Sequence, residues 1–359
     1  MKGLILCGGS GTRLSPFTFA LPKQLLPVAN KPLLCYILDA LEQAGLREIG
    51  MIVGERGGII KNRLKEWVPP GLRLTYILQA EPLGLAHAVQ TARPFLKGDD
   101  FMMILGDNLF DRALEEARHI FEQQKAEALI FLTPVADPRR YGIVEVKGSQ
   151  IISLAEKPLD PRSNLAIMGI YLFKEAIFAA IERIAPSRRG ELEITDAIQE
   201  LIHLGGKVVP YMYPGRWMDI GRPEDLLAAN REMLNLLTRP ETKNRDAGVG
   251  NSPGGLVEGS LSLVAPSALI AGSRLQGPLV IGEGCRITGS VLGPYTALGD
   301  GSVLEDSYVE NCVIFENVII RSLKTPLRNS IIGQGAKICG GGQRSAKSFW
   351  LGAGSFLNL

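Results

Sequence analysis

A short apolar stretch that runs into glycines and then into basic residues constrains this chain more than any other feature. Residues 4–28 read LILCGGSGTRLSPFTFALPKQLLPV. We expect a buried strand from Gly3 to Cys7, followed by glycines whose missing side chains let backbone N–H groups turn around an anion. Basic side chains then supply charge that suits a polyphosphate, because a guanidinium forks onto phosphate oxygens and an ammonium acts as a point charge. The glycines are Gly8, Gly9 and Gly11, and the basic residues are Arg13 and Lys23.

Two common glycine motifs do not fit this stretch. A dinucleotide-binding fingerprint needs a third glycine where Leu14 stands. A P-loop needs Lys-Ser/Thr after its last glycine, whereas Gly11 is followed by Thr12 and Arg13. A flexible strand-to-helix turn with incidental charge is the alternative. The grouping of the glycines with the two basic residues and Gln24 favours an anion site instead.

Length and composition predict two domains without a membrane span. At 359 residues the chain exceeds what one hydrophobic core usually organises. Hydrophobic residues make up 46% and charged residues 21%, yet no uninterrupted apolar segment approaches the length of a bilayer-crossing helix. We also find no secretory signal, since Met1 and Lys2 lead directly into the first predicted strand. We therefore expect a cytoplasmic protein.

The charge balance indicates which partners to expect, and the cysteines indicate the state of the thiols. Lysine and arginine total 39 against 37 acidic residues, and this net charge of +2 gives no reason to expect nucleic acid as a partner. The five cysteines are an odd number, form no C-x-x-C pair and lie in apolar patterns, so we expect free buried thiols. They are Cys7, Cys35, Cys285, Cys312 and Cys339.

Residues 32–132 alternate between predicted helices and short apolar strands. Pro32 begins a helical pattern that stops at Gly45. The apolar runs that follow are separated by helical segments, which indicates a mostly parallel sheet covered on both faces. They are Ile49–Val53, Leu74–Leu78, Phe101–Leu105 and Leu129–Leu132. Ligands of such sheets bind beyond the carboxyl ends of the strands.

Polar residues stand at several strand ends. Gln79 follows one strand, and its amide offers a donor and an acceptor to the edge of a pyrimidine base. Asp107 follows another strand and can bind a divalent cation, while Glu156 and Lys157 end a later one. Asp219 lies in the sequence WMDIG, just before a predicted helix. Each has a structural alternative. Gln79 could be a surface glutamine and Asp107 a turn residue. The pair at the end of the later strand could be a solvated ion pair, and Asp219 could cap the helix.

A break in periodicity separates the last predicted helix from a repeat. That helix begins at Pro223 and runs to about Leu237, and the sequence TRPETKNRDAGVGNSPGG after it is typical of a linker. Beyond it, LVIGEGCRI, SVLGPYTAL and SIIGQGAKI repeat an aliphatic residue at a spacing of about six, which is a hexapeptide repeat. We therefore predict a first domain at residues 1–238, a linker at 239–255 and a second domain at 256–359.

The glycine-rich stretch matches a known family signature. Its pattern G-G-x-G-T-R-L-x-P-x-T, with P-K-Q-L-L-P after it, resembles the sugar-1-phosphate nucleotidyltransferases, and most closely the long-form glucose-1-phosphate thymidylyltransferases. Later motifs extend the resemblance along nearly the whole chain. It implies an α/β fold, in which a Rossmann-like mixed sheet forms a nucleotidyltransferase domain and a left-handed parallel β-helix follows. It also implies Mg²⁺ as cofactor and a homo-oligomer, with no nucleic acid and no membrane as partner.

The resemblance implies a reaction as well. A pyrimidine nucleoside triphosphate, with dTTP favoured, passes its nucleotidyl group to a sugar 1-phosphate, with glucose 1-phosphate favoured. Pyrophosphate leaves and dTDP-glucose is formed. A UTP-using uridylyltransferase and a non-catalytic subunit that senses sugar nucleotides are the alternatives. Acyl transfer on the β-helix is a third, but the repeat region contains no histidine to support it.

Family motifs assign roles to individual residues. The catalytic residues by resemblance are Arg13, Lys23 and Lys157. The nucleotide-binding residues are Gly8, Gly9, Gly11, Thr12, Arg13, Gln24, Gln79 and Gly84. The sugar-phosphate-binding residues are Gly142, Glu156, Lys157, Gly169 and Glu191, with Glu191 expected at the N-terminal end of a helix in RRGELEITDAIQELIHLGG. The metal ligands are Asp107 and Asp219.

Overall fold

The computed structural model describes residues 1–9, 11–238, 256–258, 262–340 and 348–358. The predicted linker at 239–255 lies outside the described residues. Close packing groups the chain into a first unit, Met1–Gly9 with Leu34–Asp219, and a second unit, Ser10–Leu33 with Ile220–Leu359. The second unit therefore combines residues 10–33 with the repeat region, whereas the sequence assigned those residues to the first domain. The domain boundaries stay a prediction.

The helices and strands of residues 1–237 follow the predicted alternation. In chain order the strands are β1 (Lys2–Leu6), β2 (Pro27–Val28), β3 (Lys31–Pro32), β4 (Glu48–Val53), β5 (Arg73–Leu78), β6 (Phe101–Leu105), β7 (Asn108–Phe110), β8 (Ala128–Pro134), β9 (Gly142–Lys147), β10 (Gln150–Glu156), β11 (Leu165–Phe173), β12 (Val208–Met212) and β13 (Trp217–Asp219). The helices are α1 (Phe17–Ala20), α2 (Leu33–Gln43), α3 (Gly57–Leu64), α4 (Leu85–Thr91), α5 (Arg93–Leu96), α6 (Glu115–Gln123), α7 (Ala176–Ile181), α8 (Ile194–His203) and α9 (Pro223–Leu237). Within the described ranges, no helix combines the length and the hydropathy that a bilayer crossing requires.

A nine-stranded mixed sheet forms the centre of the first unit. Its main path is β10-β9-β11-β6-β1-β4-β5, and β8 joins β11 to β12. Strand β1 pairs in parallel with β4 and β6, whereas β11 runs antiparallel to β6 and β8. The predicted Rossmann-like mixed sheet is therefore confirmed.

The central strands of this sheet are apolar on both faces. Leu4 and Ile5 are neighbours on β1 and point to opposite faces, yet both are fully buried. Phe101 on β6 packs against Phe173 on β11 with 5.5 Å between the ring centroids. Because β1, β4, β5 and β6 are parallel, their carboxyl ends share one edge of the sheet. Ligand sites of such sheets lie at that edge.

Stacked parallel strands form the repeat region of the second unit. They are β14 (Leu256–Glu258), β15 (Ser262–Val264), β16 (Leu269–Ala271), β17 (Arg274–Gln276), β18 (Leu279–Ile281), β19 (Arg286–Thr288), β20 (Val291–Leu292), β21 (Thr296–Leu298), β22 (Val303–Glu305), β23 (Tyr308–Glu310), β24 (Val313–Ile314), β25 (Ile319–Arg321), β26 (Leu327–Arg328), β27 (Ile331–Ile332), β28 (Lys337–Cys339), β29 (Trp350–Leu351) and β30 (Phe356–Asn358). Among the described residues these strands form three sheets of five, six and six strands, and from β14 to β28 each rung contributes one strand to each sheet. This is the architecture of the predicted left-handed β-helix.

Columns of aliphatic side chains fill the interior of the β-helix. Leu304 on β22 pairs with Ile287 on the rung before it and with Ile320 on the rung after it, and each of the three is at most 1% exposed. Ile287 and Leu304 are 17 residues apart and Leu304 and Ile320 are 16 residues apart, so one rung corresponds to three repeats of about six residues. The aliphatic residues of the hexapeptide repeat are therefore the residues that stack in the interior of the β-helix.

None of the five cysteines forms a disulfide, as predicted; four of them are buried as expected, whereas Cys339 is half-buried. Burial raises the pKa of the Cys285 thiol to about 11 and that of the Cys312 thiol to about 12. Both thiols are therefore protonated at neutral pH and act as small apolar side chains within the β-helix.

Truncating one interior leucine tests the packing of the β-helix. We expect Leu304→Ala to lower the free energy of unfolding by about 2–5 kcal/mol, because it removes buried methyl groups and leaves a cavity. The matched control is Leu269→Ala on β16, where the side chain is 56% exposed and the expected change is within about 0.5 kcal/mol. Denaturant unfolding of both variants measures this difference, and equal losses would contradict the assigned core.

Candidate active site

The glycine turn in the second unit depends on Gly11. This residue has a φ of 68°, a left-handed conformation that favours glycine. A Cβ at this position would lie 2.9 Å from Cγ2 of Thr18 and 3.2 Å from Cβ of Lys23. The Thr18 hydroxyl also donates a hydrogen bond to the carbonyl oxygen of Gly11, at 2.9 Å. Gly11 therefore lets the stem of Lys23 and the turn of 3-10 helix at Thr12–Leu14 approach each other.

Arg13 leaves the same turn and is exposed. Its guanidinium lies beside Gly221, since a Cβ on that glycine would be 3.4 Å from Arg13 Nη2. The absence of a side chain at Gly221 leaves room for the guanidinium. The structure thus brings together Gly11, Thr12, Arg13 and Lys23, four of the residues that the sequence placed around a phosphate chain.

Gln24 is the most unusual polar residue of this segment. It is 1% exposed, and neither its Oε1 nor its Nε2 has a hydrogen-bond partner among the described residues. A buried polar group without a partner costs about 1–3 kcal/mol. An amide in this state is suited to a ligand that satisfies it, in agreement with its predicted role in nucleotide binding.

In the first unit, Gln79 follows β5 and is 7% exposed. Its Nε2 lies 2.9 Å from Nδ1 of His87 and 3.4 Å from the carbonyl oxygen of Gly84. Its Oε1 faces Gly8, whose Cβ would lie 3.1 Å away. With Gln79 Nε2 as the donor, His87 Nδ1 accepts and the imidazole carries its proton on Nε2. His87 therefore orients the amide, a contact that the sequence did not indicate.

The structure gives a reason for glycine at position 84 that differs from the predicted one, which was to leave room for the base. Its φ is 107°, and a Cβ would lie 2.5 Å from the backbone oxygen of Leu192. The Leu192 amide donates to the carbonyl oxygen of Leu83 at 2.8 Å, and the Ala86 amide donates to the Leu192 carbonyl at 3.0 Å. Gly84 therefore allows the segment before α8 to pack against the start of α4.

Glu191 does not lie in a helix, and this part of the prediction was wrong. Helix α8 begins at Ile194, and Glu191 belongs to the loop before it. The reason is that Gly190 adopts a left-handed φ of 74° and that both backbone hydrogen bonds of Leu192 go to the start of α4. The loop nevertheless brings Glu191 close to other predicted sugar-phosphate residues.

Three carboxylates share one guanidinium in this part of the first unit. Arg189 contacts Glu191 at 3.0 Å, Glu193 at 3.2 Å and Glu156 at 3.5 Å. Lys157 Nζ lies 3.4 Å from Glu156 Oε1. The sequence motif contained Arg189, but no pattern singled it out, because its contacts come from β10 and from the loop before α8. The cluster therefore combines two cationic side chains, Arg189 and Lys157, with three carboxylates.

Burial raises the pKa of Glu156 above its usual value of 4.5. The neighbouring Lys157 and Arg189 lower the pKa of this carboxyl, whereas Glu193 raises it, and burial is the largest of these causes. The shift indicates that ionising Glu156 in the folded protein costs free energy. Such perturbed carboxyls are enriched at functional sites.

Lys157 itself has an unfavourable backbone. Its φ is 42°, which is left-handed, and it precedes Pro158, a position that normally requires extended backbone. Its amide donates to the carbonyl oxygen of Tyr141 at 3.0 Å, and this bond fixes the end of β10. Strain of this kind costs about 1–3 kcal/mol and is concentrated at functional sites.

The two remaining predicted glycines leave space for particular side chains. A Cβ on Gly142 would lie 3.1 Å from Oε2 of Glu156, its partner across β9 and β10. A Cβ on Gly169, which has a φ of 76°, would lie 2.6 Å from Nδ2 of Asn108. Asn108 donates from that atom to the carbonyl oxygen of Met168 at 2.5 Å. Gly169 therefore admits the side chain that anchors the turn after β6.

The structure brings Asp107 and Asp219 close together in the first unit. Strand β13 pairs antiparallel with β7, and in this register Asp219 stands opposite Asn108. Asp107 is the residue before Asn108, at the turn after β6. Paired residues of antiparallel strands have Cα atoms about 5 Å apart, so the backbone of Asp219 lies close to the turn that carries Asp107.

These two aspartates fit a divalent cation that also binds substrate phosphates. Within the described residues, no group of three or more His, Cys, Asp or Glu side chains could form a metal site by itself. Mg²⁺ commonly uses one or two carboxylates and completes its coordination with water and phosphate oxygens. The alternative role of Asp219 as a helix cap is filled by Asp225, which accepts hydrogen bonds from the amides of Gly221 and Arg222.

A glycine turn with basic side chains, a mixed sheet and paired aspartates at its strand ends define an enzyme of the nucleotidyltransferase class. Residues 2–235 match the family model described as nucleotidyl transferase, and the chain belongs to that family. Members of the family generally use a divalent metal.

Relatives over nearly the full length place the chain more narrowly within this family. A Streptomyces griseus protein named glucose-1-phosphate thymidylyltransferase is 41% identical over 339 residues, covering 94% of this chain and 93% of that protein. The Haloferax volcanii low-salt glycan biosynthesis nucleotidyltransferase Agl11 is 41% identical over 343 residues, covering 94% of both chains. A crystal structure of a Bacillus anthracis protein assigned as a glucose-1-phosphate thymidylyltransferase, in complex with sucrose, is 33% identical with a TM-score of 0.61. It covers 69% of this chain and 97% of that chain.

Replacing Glu156 tests the cost of its ionisation. The pKa of Glu156 in the folded chain lies above its unfolded value, so the penalty is absent below the unfolded pKa and develops as the pH rises through the folded pKa. We therefore expect Glu156→Gln to melt at a higher temperature than the unchanged protein at about pH 7.5, with the gain disappearing near pH 4. Glu182→Gln, at an exposed carboxylate paired with Arg93, is the control and should change little at either pH. A lower melting temperature for Glu156→Gln at pH 7.5 would contradict this account.

Proposed function

We propose that this protein transfers a thymidylyl group from dTTP to glucose 1-phosphate, giving dTDP-glucose and pyrophosphate. The register of β13 against β7 supports this most directly, because it makes neighbours of two aspartates from distant parts of the chain. The names of the Streptomyces griseus and Bacillus anthracis relatives support the choice of nucleotide and sugar. The test is a matrix of nucleoside triphosphates against sugar 1-phosphates, scored by pyrophosphate release.

The proposed reaction is one in-line displacement. A phosphate oxygen of the sugar 1-phosphate attacks the α-phosphorus of dTTP, the new O–P bond forms, and the bond to the β-phosphate breaks as pyrophosphate leaves. The nucleophile is already an anion, so no general base and no covalent enzyme intermediate are required. The task of the protein is to position two groups that repel each other and to neutralise charge on the leaving group.

Each group of residues has a proposed role in that task. Arg13 and the amides of the glycine turn, including that of Thr12, hold the leaving pyrophosphate, and Lys23 lies at the α-phosphate. Lys157 binds the phosphate of the sugar, and the contacts of Arg189 make it a second candidate for that role. The proposed groups for sugar hydroxyls are Glu156 and Glu191, those for close approach of the sugar are Gly142 and Gly169, and those for the nucleotide are Gln24, Gln79 and Gly84.

Asp107 and Asp219 are the proposed ligands of Mg²⁺. The bound ion would neutralise phosphate charge and orient the α-phosphate. The protein contributes two hard oxygen donors and the strand pairing that keeps them adjacent. We also propose a cytoplasmic homo-oligomer, in accordance with the family resemblance.

Three other functions remain as outcomes of the same tests. A preference for UTP would make the protein a uridylyltransferase. Binding of sugar nucleotides without turnover would make it a sensor, although every charged residue of the family motifs is present. Acyl-CoA-dependent modification of the sugar would indicate acyl transfer on the β-helix, but all three histidines of the chain precede residue 204.

Changing the Gln79 amide tests how the base is selected. We expect the unchanged protein to prefer dTTP and UTP over ATP, because a site that pairs with a polar edge penalises a base that leaves this edge unpaired. Gln79→Ala should lower kcat/KM for dTTP by about 10-fold to 100-fold and should reduce the preference over ATP. Gln90→Ala, on the same helix as His87, is the control and should keep the preference. Equal kcat/KM for dTTP and ATP in the unchanged protein would contradict the assignment.

Removing the aspartates one at a time and together tests whether they act as one unit. We expect Asp107→Asn and Asp219→Asn each to abolish most of kcat while barely changing the melting temperature. The double variant should be little worse than either single variant, since the loss of one ligand already disables the metal. Steady-state kinetics at saturating Mg²⁺ measure this. Fully multiplicative losses would mean independent roles, and a large drop in melting temperature for Asp219→Asn would favour a structural role.

A further inference from the structure

A single buried asparagine joins three distant segments of the second unit. Asn230 on α9 is fully buried, and its Oδ1 accepts a hydrogen bond from the Ala29 amide at 2.9 Å. Its Nδ2 donates to the carbonyl oxygen of Tyr295 in the β-helix at 3.0 Å. Ala29 lies between β2 and β3, in the segment that begins with the glycine turn. We call residues 11–30 the phosphate-loop segment.

From these contacts we infer that Asn230 and Phe315 are positioning residues for triphosphate binding. Through them the β-helix sets the conformation of the phosphate-loop segment. This inference rests on the proposed function, because it assigns that segment to the triphosphate. It gives the β-helix a part in nucleotide affinity without any chemistry of its own.

The phosphate-loop segment has little regular structure to stabilise itself. Its helices are two 3-10 turns of three residues and one helix of four residues, and its one strand, β2, has two residues. Elements this short are not stable in isolation. Ala29 and Asn30 also adopt left-handed backbone, with φ values of 47° and 61°. Partners elsewhere in the second unit must therefore fix its conformation.

The β-helix supplies several of these partners from different rungs. The rings of Phe17 and Phe315 pack with 5.9 Å between centroids, and both residues are nearly fully buried. Asn30 Nδ2 donates to the carbonyl oxygen of Leu298 at 2.7 Å. A Cβ on Gly352 would lie 3.1 Å from Cβ of Pro16. Contacts at both ends of the segment, near Pro16 and near Asn30, are thus made to the β-helix.

Two short connections lead from these contacts to the phosphate-binding groups. Phe17 precedes Thr18, whose hydroxyl donates to Gly11 and so closes the glycine turn. Asn230 lies on α9, and Gly221, just before the first turn of that helix, is beside the Arg13 guanidinium. A shift of Phe17 or of α9 would therefore move the groups proposed to hold the triphosphate, and misplacement by about 1 Å can cost as much as 100-fold in rate.

The test compares two positioning variants with two matched controls in the full-length protein. Asn230→Ala leaves the Ala29 amide and the Tyr295 carbonyl without their partner, and Phe315→Leu removes the ring contact but keeps an apolar side chain. Ser290→Ala and Leu304→Ala are the controls, because both alter buried groups of the β-helix away from the segment. Ser290 hydrogen bonds with Ser273, Thr288 and Ser307, and Leu304 belongs to the interior column.

We expect the positioning variants to raise KM for dTTP by about 10-fold to 100-fold and to change KM for glucose 1-phosphate by less than about twofold. Amide hydrogen exchange in peptides covering residues 14–28 should become faster in these variants. The controls should lower the melting temperature by a similar amount without changing either KM or the exchange of those peptides.

Several results would overturn the inference. Equal effects of the positioning variants and the controls would reduce Asn230 and Phe315 to ordinary core residues, as would equal rises of both KM values. Unchanged amide hydrogen exchange at residues 14–28 would also reduce Asn230 and Phe315 to ordinary core residues. This measurement does not require the protein to convert substrate. Should Asn230→Ala fail to fold, Phe315→Leu alone decides. Absence of turnover in the unchanged protein would refute the proposed function, whereas the exchange comparison would still decide whether these residues fix the segment.

Discussion

The pairing of strand β13 with strand β7 is the constraint around which the candidate metal site is arranged. Strand β13 pairs with β7 so that Asp219 stands opposite Asn108, and Asp107 directly precedes that residue. Carboxylates that are brought close together repel each other, and a cation bound between them offsets this repulsion. Asn108 fixes the turn that follows β6. Its buried side-chain amide donates to the carbonyl oxygen of Met168, and the absence of a side chain at Gly169 leaves room for it. In the proposed site, a divalent cation that also binds phosphate oxygens would offset this repulsion when substrate is bound.

The cluster of charged side chains around Arg189 also contains groups that lower the stability of the fold. Glu156, Glu191 and Glu193 share Arg189, and Lys157 adds a second cation in a left-handed conformation before a proline. Burial raises the pKa of Glu156, so its ionised form lowers the stability of the fold. Groups with strained backbone and unfavourable ionisation are retained where they serve a ligand, and the rest of the first unit compensates through its apolar sheet. The unpartnered amide of Gln24 is a further example in the second unit.

Local patterns allowed much of the fold to be predicted from the sequence, whereas contacts between distant residues could not be. The apolar run Phe101–Leu105 and the proline-initiated helix Pro223–Leu237 have the predicted bounds, because burial and helix starts leave signals in neighbouring residues. The spacing likewise predicted a hexapeptide repeat, and the family resemblance implied that this repeat forms a β-helix. The sequence wrongly predicted that Glu191 lies in a helix, because Leu192 pairs with residues around the start of α4 and the helix begins only after it. This pairing leaves no signal in the adjacent sequence. For the same reason the sequence did not reveal that His87 orients Gln79 or that Asn230 bridges Ala29 and Tyr295. The predicted roles of the site residues await experiment.

The proposed mechanism requires Asp107 and Asp219 to bind one cation together with the nucleotide. Crystals of the protein with a non-hydrolysable dTTP analogue and Mn²⁺ in place of Mg²⁺ would test this directly, because anomalous scattering locates manganese independently of the rest of the structure. The account predicts a manganese peak in contact with a carboxylate oxygen of each aspartate and with a phosphate oxygen of the analogue. Manganese bound to the phosphates but away from either aspartate would contradict it.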